Sequence, residues 1–204
     1  MSVKVAPHIG KKDFGNDVLL FATPGKLATE AESILSGLSD RPRGNAFWEI
    51  FAKRANESMH LLDGNSICVI LRAFSAHGGR SDLVSGLCHF VAEDLGSGKR
   101  LVPKYSSIMQ LIEIMQALNS NSISVPASAY NTLVVGLSDL AYTIKVPGQV
   151  YDVMSQLKLM RSNSNQTSAN ERALVQQLAW KLGRPIEGDV SFDEVYTIAS
   201  ELRR

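Results

Sequence analysis

The sequence has little of what supports metal binding, disulfide bonding or membrane insertion. Two cysteines and four histidines are spread over 204 residues, and none of them share the spacing of a zinc site. No uncharged apolar run approaches the roughly 18 residues that cross a bilayer, so we expect no transmembrane segment. The N-terminus lacks the apolar run of a secretory signal, and its early lysines faintly resemble an organellar presequence. We therefore expect a folded chain without metal or cofactor.

Charge of one sign is also scarce. Lys and Arg number 21 against 20 Asp and Glu, which gives a formal net charge of +1. A domain that coats DNA or RNA is usually strongly basic, because neutralised phosphates supply much of its affinity. The balance speaks against nucleic acid as the sole partner, and we expect no DNA partner. A net charge near zero is still compatible with a local basic patch.

The two cysteines lie inside apolar helical patterns. Cys68 stands between Ile67 and Val69, and Cys88 follows Leu87. This setting predicts two small buried thiols in a reducing compartment. A disulfide between them is the alternative.

An amphipathic pattern with a period of a little over forty residues is the strongest positive signal. Phe74, Leu118, Met160 and Leu202 each close an apolar stripe, at intervals of 44, 42 and 42 residues. Such a period, filled with helix and interrupted by turn residues, is typical of an α-solenoid. We predict an all-α fold, an α-solenoid-like stack of about four helical hairpins with an extended N-terminal arm.

Turn residues divide the chain into an arm and about nine helices. Residues 1–25 show little periodicity and predict an extended arm, which docks on a neighbouring subunit or folds on its own domain. Residues 26–204 form the helical hairpin repeat domain. Capping boxes at Ser168–Glu171 and Ser191–Glu194 begin its last two helices. The first helix is predicted at 26–38, and the hairpins pair 44–60 with 63–77, 81–95 with 104–119, 126–143 with 147–161, and 168–182 with 191–203.

One segment resembles a known family of repeats. From Phe47 onwards, an aromatic-led helix is followed by a turn and by Leu71-Arg72-Ala73-Phe74 with Gly78. This is similar to the helical hairpins that precede the RAP domain in organellar RNA-binding proteins, namely Fas-activated serine/threonine kinase-like, octotricopeptide and heptatricopeptide repeat proteins. Met115-Gln116-Ala117-Leu118 matches in outline, and no RAP domain is recognisable. The resemblance implies a mitochondrial or plastid setting and contact with RNA or an RNA-rich particle.

A basic cluster in a predicted loop is the first candidate RNA contact. Lys99, Arg100 and Lys104 stand close to Tyr105. Such a loop can hold phosphate while the aromatic ring stacks on a base. An ordinary solvated loop would have the same composition.

Basic residues near helix ends are the second set of candidates. In the resembled family the second helices line the concave surface, which implies Arg72, His77 and Arg80 as contacts. Lys158 and Arg161 occupy a corresponding place in a later unit. The alternative is that these cations simply favour a helix C-terminus through its dipole.

Aromatic and glycine-rich features add no catalytic site. Trp48 and Trp180 both fall at helical spacing with apolar residues, which predicts that they pack in the core. Gly96-Ser97-Gly98-Lys99 mimics the end of a phosphate-binding loop, yet no strand precedes it. No nucleophile, base or carboxylate pair stands at a telling spacing. We therefore expect a protein that is not an enzyme.

These features lead to a ranked set of functions. The first is a non-catalytic RNA-binding and structural subunit of a mitochondrial ribosome, located in the matrix, that holds ribosomal RNA and neighbouring subunits. The alternative is an accessory structural subunit of a mitochondrial membrane complex, such as an ATP synthase or respiratory assembly, with protein partners only. A free RNA-processing factor ranks third.

Overall fold

The computed structural model describes residues 19–37, 44–77, 81–98, 104–161, 168–183, 188 and 190–203. Within these ranges the chain is helical with no strand, which confirms the all-α prediction. Nine α-helices lie wholly within them. They are α1 (Pro24–Leu35), α2 (Asn45–Ser58), α3 (Gly64–His77), α4 (Ser81–Gly96), α5 (Ile108–Ser120), α6 (Ala127–Leu140), α7 (Pro147–Arg161), α8 (Ala169–Lys181) and α9 (Phe192–Leu202).

Local sequence signals explain where several helices begin. Ser191 accepts a hydrogen bond from the Glu194 N–H, and the Glu194 carboxylate accepts one from the Ser191 N–H, so the predicted capping box forms. Ser168 caps α8 in the same way through the Glu171 N–H. The Glu171 carboxylate instead accepts a hydrogen bond from the Tyr130 hydroxyl in the interior. Only the hydroxyl half of that predicted box is therefore present.

The helices pack mainly against their next-but-one neighbours. Helices α1, α3, α5, α7 and α9 contact one another in that order, and we call them the odd row. Helices α2, α4, α6 and α8 do the same and form the even row. One apolar cluster runs through both rows. The arrangement places residues about one sequence period apart on neighbouring helices of a row.

Two of the predicted hairpins have little direct backbone contact between their helices. These are α2 with α3 and α6 with α7. At the first, aromatic rings fill the space: the ring of Phe74 lies 4.9 Å from that of Trp48 and 5.2 Å from that of Phe51. Rings of this size hold the helix axes apart while still joining them. The hairpin pairing stays a prediction.

The described part of the predicted arm packs on the chain itself. Leu19 and Ala22 are buried, and Arg54 on α2 donates a hydrogen bond to the Ala22 carbonyl oxygen at 2.9 Å. Residues 1–18 lie outside the described residues. Helix α1 begins at Pro24, a position where the missing N–H of proline removes no helical hydrogen bond.

Burial agrees with the sequence pattern at most of the marked positions. Phe74, Leu118 and Met160 are buried as predicted, whereas Leu202, on the last helix described, is about half exposed. Trp48 is buried as well. Trp180 is 71% exposed, so its predicted place in the core is wrong. It projects from α8 on the side away from the buried residues of that helix.

Both cysteines are buried free thiols, as predicted, and no disulfide joins them. Burial raises the pKa of Cys68 to about 12 and that of Cys88 to about 11. Both therefore stay protonated at neutral pH and act as small core residues.

Candidate functional site

Four of the predicted RNA contacts lie wholly or partly outside the described residues. Arg80, Lys99 and Arg100 lie outside the described residues, and so does the side chain of His77. The remaining candidates fall at three separate places: the segment before α5, the groove between α3 and α5, and the face shared by α7 and α9.

Tyr105 lies in the core, and Lys104 is partly buried beside it. The Lys104 ammonium pairs with the Asp94 carboxylate and donates to the Met59 carbonyl oxygen at 3.4 Å. Tyr105 is 0% exposed. The Gly64 N–H donates to the Lys104 carbonyl oxygen at 2.7 Å, which draws this segment against the start of α3. The prediction that Tyr105 is available for stacking on a base is therefore wrong, because the ring is enclosed.

Arg72 lies on α3 and faces α5. Its Nε stands 3.5 Å from the Glu113 carboxylate. Both side chains line a groove of about 710 Å³ between α1, α3 and α5, and the buried thiol of Cys68 lies along it. The nearby carboxylate offsets the positive charge of Arg72, which makes this groove a poor site for phosphate.

Lys158 and Arg161 both face aromatic rings of α9. The Lys158 ammonium lies 4.1 Å from the ring centroid of Tyr196, and the Arg161 guanidinium carbon lies 4.4 Å from that of Phe192. Cations at such distances are attracted by the negative face of the ring. Both also stand in the last turn of α7, so the interaction with the helix dipole operates too.

Tyr151 and Arg203 extend this arrangement along α7 and α9. The rings of Tyr151 and Tyr196 are stacked with centroids 5.6 Å apart, and the Arg203 guanidinium lies 4.5 Å from the Tyr151 ring. Hydrogen bonding to Tyr151 raises the pKa of Tyr196 above its usual value. We call Tyr151, Lys158, Tyr196 and Arg203 the α7–α9 surface. None of these side chains is buried.

Sequence reasoning missed three of these four residues for an identifiable reason. The sequence places Tyr151 in the predicted helix at 147–161, and Tyr196 and Arg203 in the predicted helix at 191–203, but it gives none of them a role. The sequence does carry one signal for this surface: Tyr196 lies about one repeat period after Tyr151 and Lys158. Residues so separated meet only when α7 and α9 are neighbours in a row.

Arg161 has a structural role beside this surface. Its Nε lies 3.2 Å from the Glu171 carboxylate, which is 1% exposed. The Tyr130 hydroxyl donates to the other carboxylate oxygen at 2.9 Å. Burial and the neighbouring Glu171 carboxylate raise the pKa of Tyr130. The three side chains join α6, α7 and α8. A buried carboxylate is costly unless hydrogen-bond donors and cations surround it, and here the neighbouring helices supply them.

The α7–α9 surface can hold a flexible, negatively charged ligand. Lys158 and Arg203 attract phosphate, and the stacked tyrosine rings that they cover fix their positions. Arg203 also lies 3.9 Å from the Asp152 carboxylate in an exposed ion pair, which water screens. Within the described ranges, no three His, Cys, Asp or Glu side chains are grouped to hold a metal ion. Likewise, none of the described helices has the length and apolarity to cross a membrane. Comparison of the chain with protein-family models, curated proteins and solved structures gave no match.

Proposed function

We propose that the chain is a short α-solenoid that serves as a non-catalytic structural subunit of a larger assembly. Contacts along the two rows support the repeat. Hydrogen bonds between neighbouring helices of a row join residues 37 to 42 positions apart, close to the period of the sequence pattern. Among them are Cys68 to Gln110, Asn119 to Gln156, Tyr130 to Glu171 and Ser138 to Gln177.

We further propose that the assembly contains RNA and that the α7–α9 surface holds it. The observation that carries this proposal is the placement of Lys158 and Arg203 over the rings of Tyr196 and Tyr151. Positive side chains held in fixed positions bind the phosphate backbone of single-stranded RNA without reading its sequence. The resemblance of residues 47–78 to organellar repeat proteins makes a mitochondrial ribosome, in the matrix, the assembly that we propose.

Salt-dependent RNA binding tests this surface. Affinity for an unstructured RNA is measured by fluorescence anisotropy over a range of salt concentrations. Each phosphate contact on a single strand contributes a slope of about −0.7 in log affinity against log salt. We expect the double variant Lys158→Ala/Arg203→Ala to lose about 1.4 from that slope.

The matched control removes two exposed lysines elsewhere. Lys26 on α1 and Lys53 on α2 are both exposed and lie far along the chain from the α7–α9 surface. The variant Lys26→Ala/Lys53→Ala removes as much positive charge as the first. An equal effect of the two double variants, or no binding at any salt concentration, would contradict the proposed RNA surface.

A second candidate is a subunit with protein partners only, within a mitochondrial membrane complex. It is favoured by the ion pairs that already occupy other candidate cations: Arg72 with Glu113, and Lys104 with Asp94. Sedimentation of mitochondrial lysate distinguishes the two. Migration with a ribosomal subunit that changes when magnesium is removed favours the RNA assembly. Migration with a detergent-solubilised complex, insensitive to ribonuclease, favours the protein-only subunit.

A further inference from the structure

The two cations of the α7–α9 surface differ in their electrostatic surroundings. The Lys158 ammonium lies over the Tyr196 ring, and within the described ranges no carboxylate pairs with it. The Arg203 guanidinium lies over the Tyr151 ring and also 3.9 Å from the Asp152 carboxylate. The positive charge of Arg203 is therefore partly offset by a neighbouring negative charge. A phosphate that approaches Arg203 approaches that carboxylate as well.

Asp152 acts on Arg203 through its charge and does not fix the position of the guanidinium. The distance of 3.9 Å between Arg203 Nη2 and Asp152 Oδ1 is longer than a hydrogen bond. The guanidinium is held instead over the Tyr151 ring, at 4.5 Å from its centroid. Both charged side chains are partly exposed, so salt screens their interaction. Removing the carboxylate should therefore leave Arg203 in place and raise the positive potential around it.

Helix α7 gives no structural reason for an aspartate at position 152. The residue lies beyond the first turn of α7, where a carboxylate would interact favourably with the helix dipole. Its carboxylate accepts no hydrogen bond from the part of the chain that the structure describes. Aspartate is also a weak helix former, and asparagine has nearly the same helix propensity and shape. Asp152→Asn therefore removes the negative charge and little else.

We infer that Asp152 limits the affinity of the α7–α9 surface for RNA by competing with phosphate for Arg203. The inference rests on the proposed RNA function of this surface. In the free protein the carboxylate already occupies part of the field of Arg203, and it stays close to any phosphate that binds there. Stable contact with RNA then depends on further contacts of the strand within the assembly. A structural subunit has such contacts, whereas a free RNA-binding factor has to hold the strand alone.

Binding of a fluorescent oligouridylate, followed by anisotropy, tests this role of Asp152. We expect Asp152→Asn to bind the oligonucleotide about two- to fivefold more tightly than the wild type at low salt, as expected for an exposed ion pair. The gain should shrink as the salt concentration rises, because salt screens the interaction. The matched control is Asp139→Asn, which removes one exposed negative charge from α6. It should change the affinity much less.

A second pair of variants shows whether Asp152 acts through Arg203. Arg203→Ala should weaken binding of oligouridylate. In that background Asp152→Asn should have no further effect, because the cation for which the carboxylate competes is gone. Asp152→Glu keeps the negative charge and should bind RNA as the wild type does. Circular dichroism and urea unfolding verify that all variants are folded.

Three results would overturn the role of Asp152. Unchanged affinity of Asp152→Asn, with weaker binding by Arg203→Ala, would leave the RNA surface in place without this competition. An equal gain from Asp139→Asn would mean that only net charge matters. The same gain from Asp152→Asn with and without Arg203 would mean that the carboxylate acts elsewhere. If Arg203→Ala itself left the affinity unchanged, the proposed contact of Arg203 with RNA would fall, and the inference with it.

Discussion

At the scale of single residues, Gly64 makes the close packing of Tyr105 possible. A Cβ at position 64 would overlap the ring of Tyr105 and crowd the carbonyl oxygen of Lys104. Both groups are fixed, since the ring is in the core and the carbonyl accepts the Gly64 N–H. The contact explains why a segment that carries a lysine lies inside the molecule.

Gly64→Ala should therefore destabilise the fold by about 1–3 kcal/mol, as overpacking does. Gly86 is the matched control, because it lies inside α4 and a Cβ there meets nothing within 4 Å. Gly86→Ala should stabilise the protein by about 0.5–1 kcal/mol, through higher helix propensity. Urea unfolding followed by circular dichroism measures both, and effects of the same sign would refute the packing argument.

Phe74→Ala should cost about 3–5 kcal/mol, because it removes the ring on which Trp48 and Phe51 pack. Phe90→Ala provides the comparison, since Phe90 is well exposed on α4. It should change the free energy of unfolding by well under that amount. A small effect of Phe74→Ala would contradict the inference that aromatic packing joins α2 and α3.

Periodicity in the sequence predicts burial reliably only for residues at the centre of the apolar face of a helix. Phe74 is at the centre of a stripe, and its burial follows from the spacing. Trp180 also has apolar neighbours, but on a helix of 13 residues a shift of one position turns a side chain outwards. Tyr105 is buried through its contact with Gly64, a pairing over forty positions that no local pattern encodes.

At the scale of helices, caps and buried polar contacts fix where each helix begins and which others it meets. The Asp63 carboxylate accepts a hydrogen bond from the Ser66 N–H at 2.8 Å, at the start of α3. Hydrogen bonds from the Ser66 hydroxyl and from the Ser66 N–H lower the pKa of Asp63 below its usual value. Its contribution to stability is therefore present above the unfolded pKa of about 4 and is lost as pH falls through the folded pKa.

Asp63→Asn tests the pH dependence of this cap. Asparagine can still cap the helix through its side-chain oxygen, but it does not titrate. The wild-type protein should be the more stable of the two at neutral pH, and the difference should shrink between about pH 5 and pH 3. Urea unfolding across this range measures it. A difference that grows on acidification would contradict the assigned sign.

The buried network of Glu171 joins three helices, so its loss should weaken the packing of all three. Tyr130→Phe removes the hydroxyl that donates to Glu171 while keeping the ring. Leaving a buried carboxylate oxygen without its donor should cost about 1–3 kcal/mol. Tyr142→Phe removes an exposed hydroxyl and should cost close to nothing. Thermal unfolding of both variants gives the comparison, and equal stability of the two would indicate that water replaces the hydroxyl.

At the scale of the whole molecule, the packing order determines how disturbances spread. Each helix mainly contacts its next-but-one neighbours, and some also contact the next helix along the chain. In the α-solenoid that we propose, stability is close to a sum of local terms and neighbouring interfaces, so the ends can open independently of each other. A globule with a shared centre would respond as one unit.

The candidate surfaces also depend on the order in which the helices pack. For this reason the sequence predicts the helices better than it predicts the sites. The repeat period predicts which residues are one unit apart, and Lys158 and Tyr196 are such a pair. It does not say which face is turned towards a partner. That choice depends on how α7 and α9, or α6 and α8, are rotated about their axes, and packing across the rows sets those rotations.

Native-state hydrogen exchange of two core variants tests the proposed repeat architecture. Leu27 on α1 and Val195 on α9 are both fully buried, at opposite ends of the odd row. Each alanine substitution should cost about 2 kcal/mol locally. Leu27→Ala should speed amide exchange in α1 to α3 and leave α7 to α9 protected, and Val195→Ala should do the reverse. Uniformly faster exchange in both variants would mean one cooperative unit, and the α-solenoid proposal would fall with it.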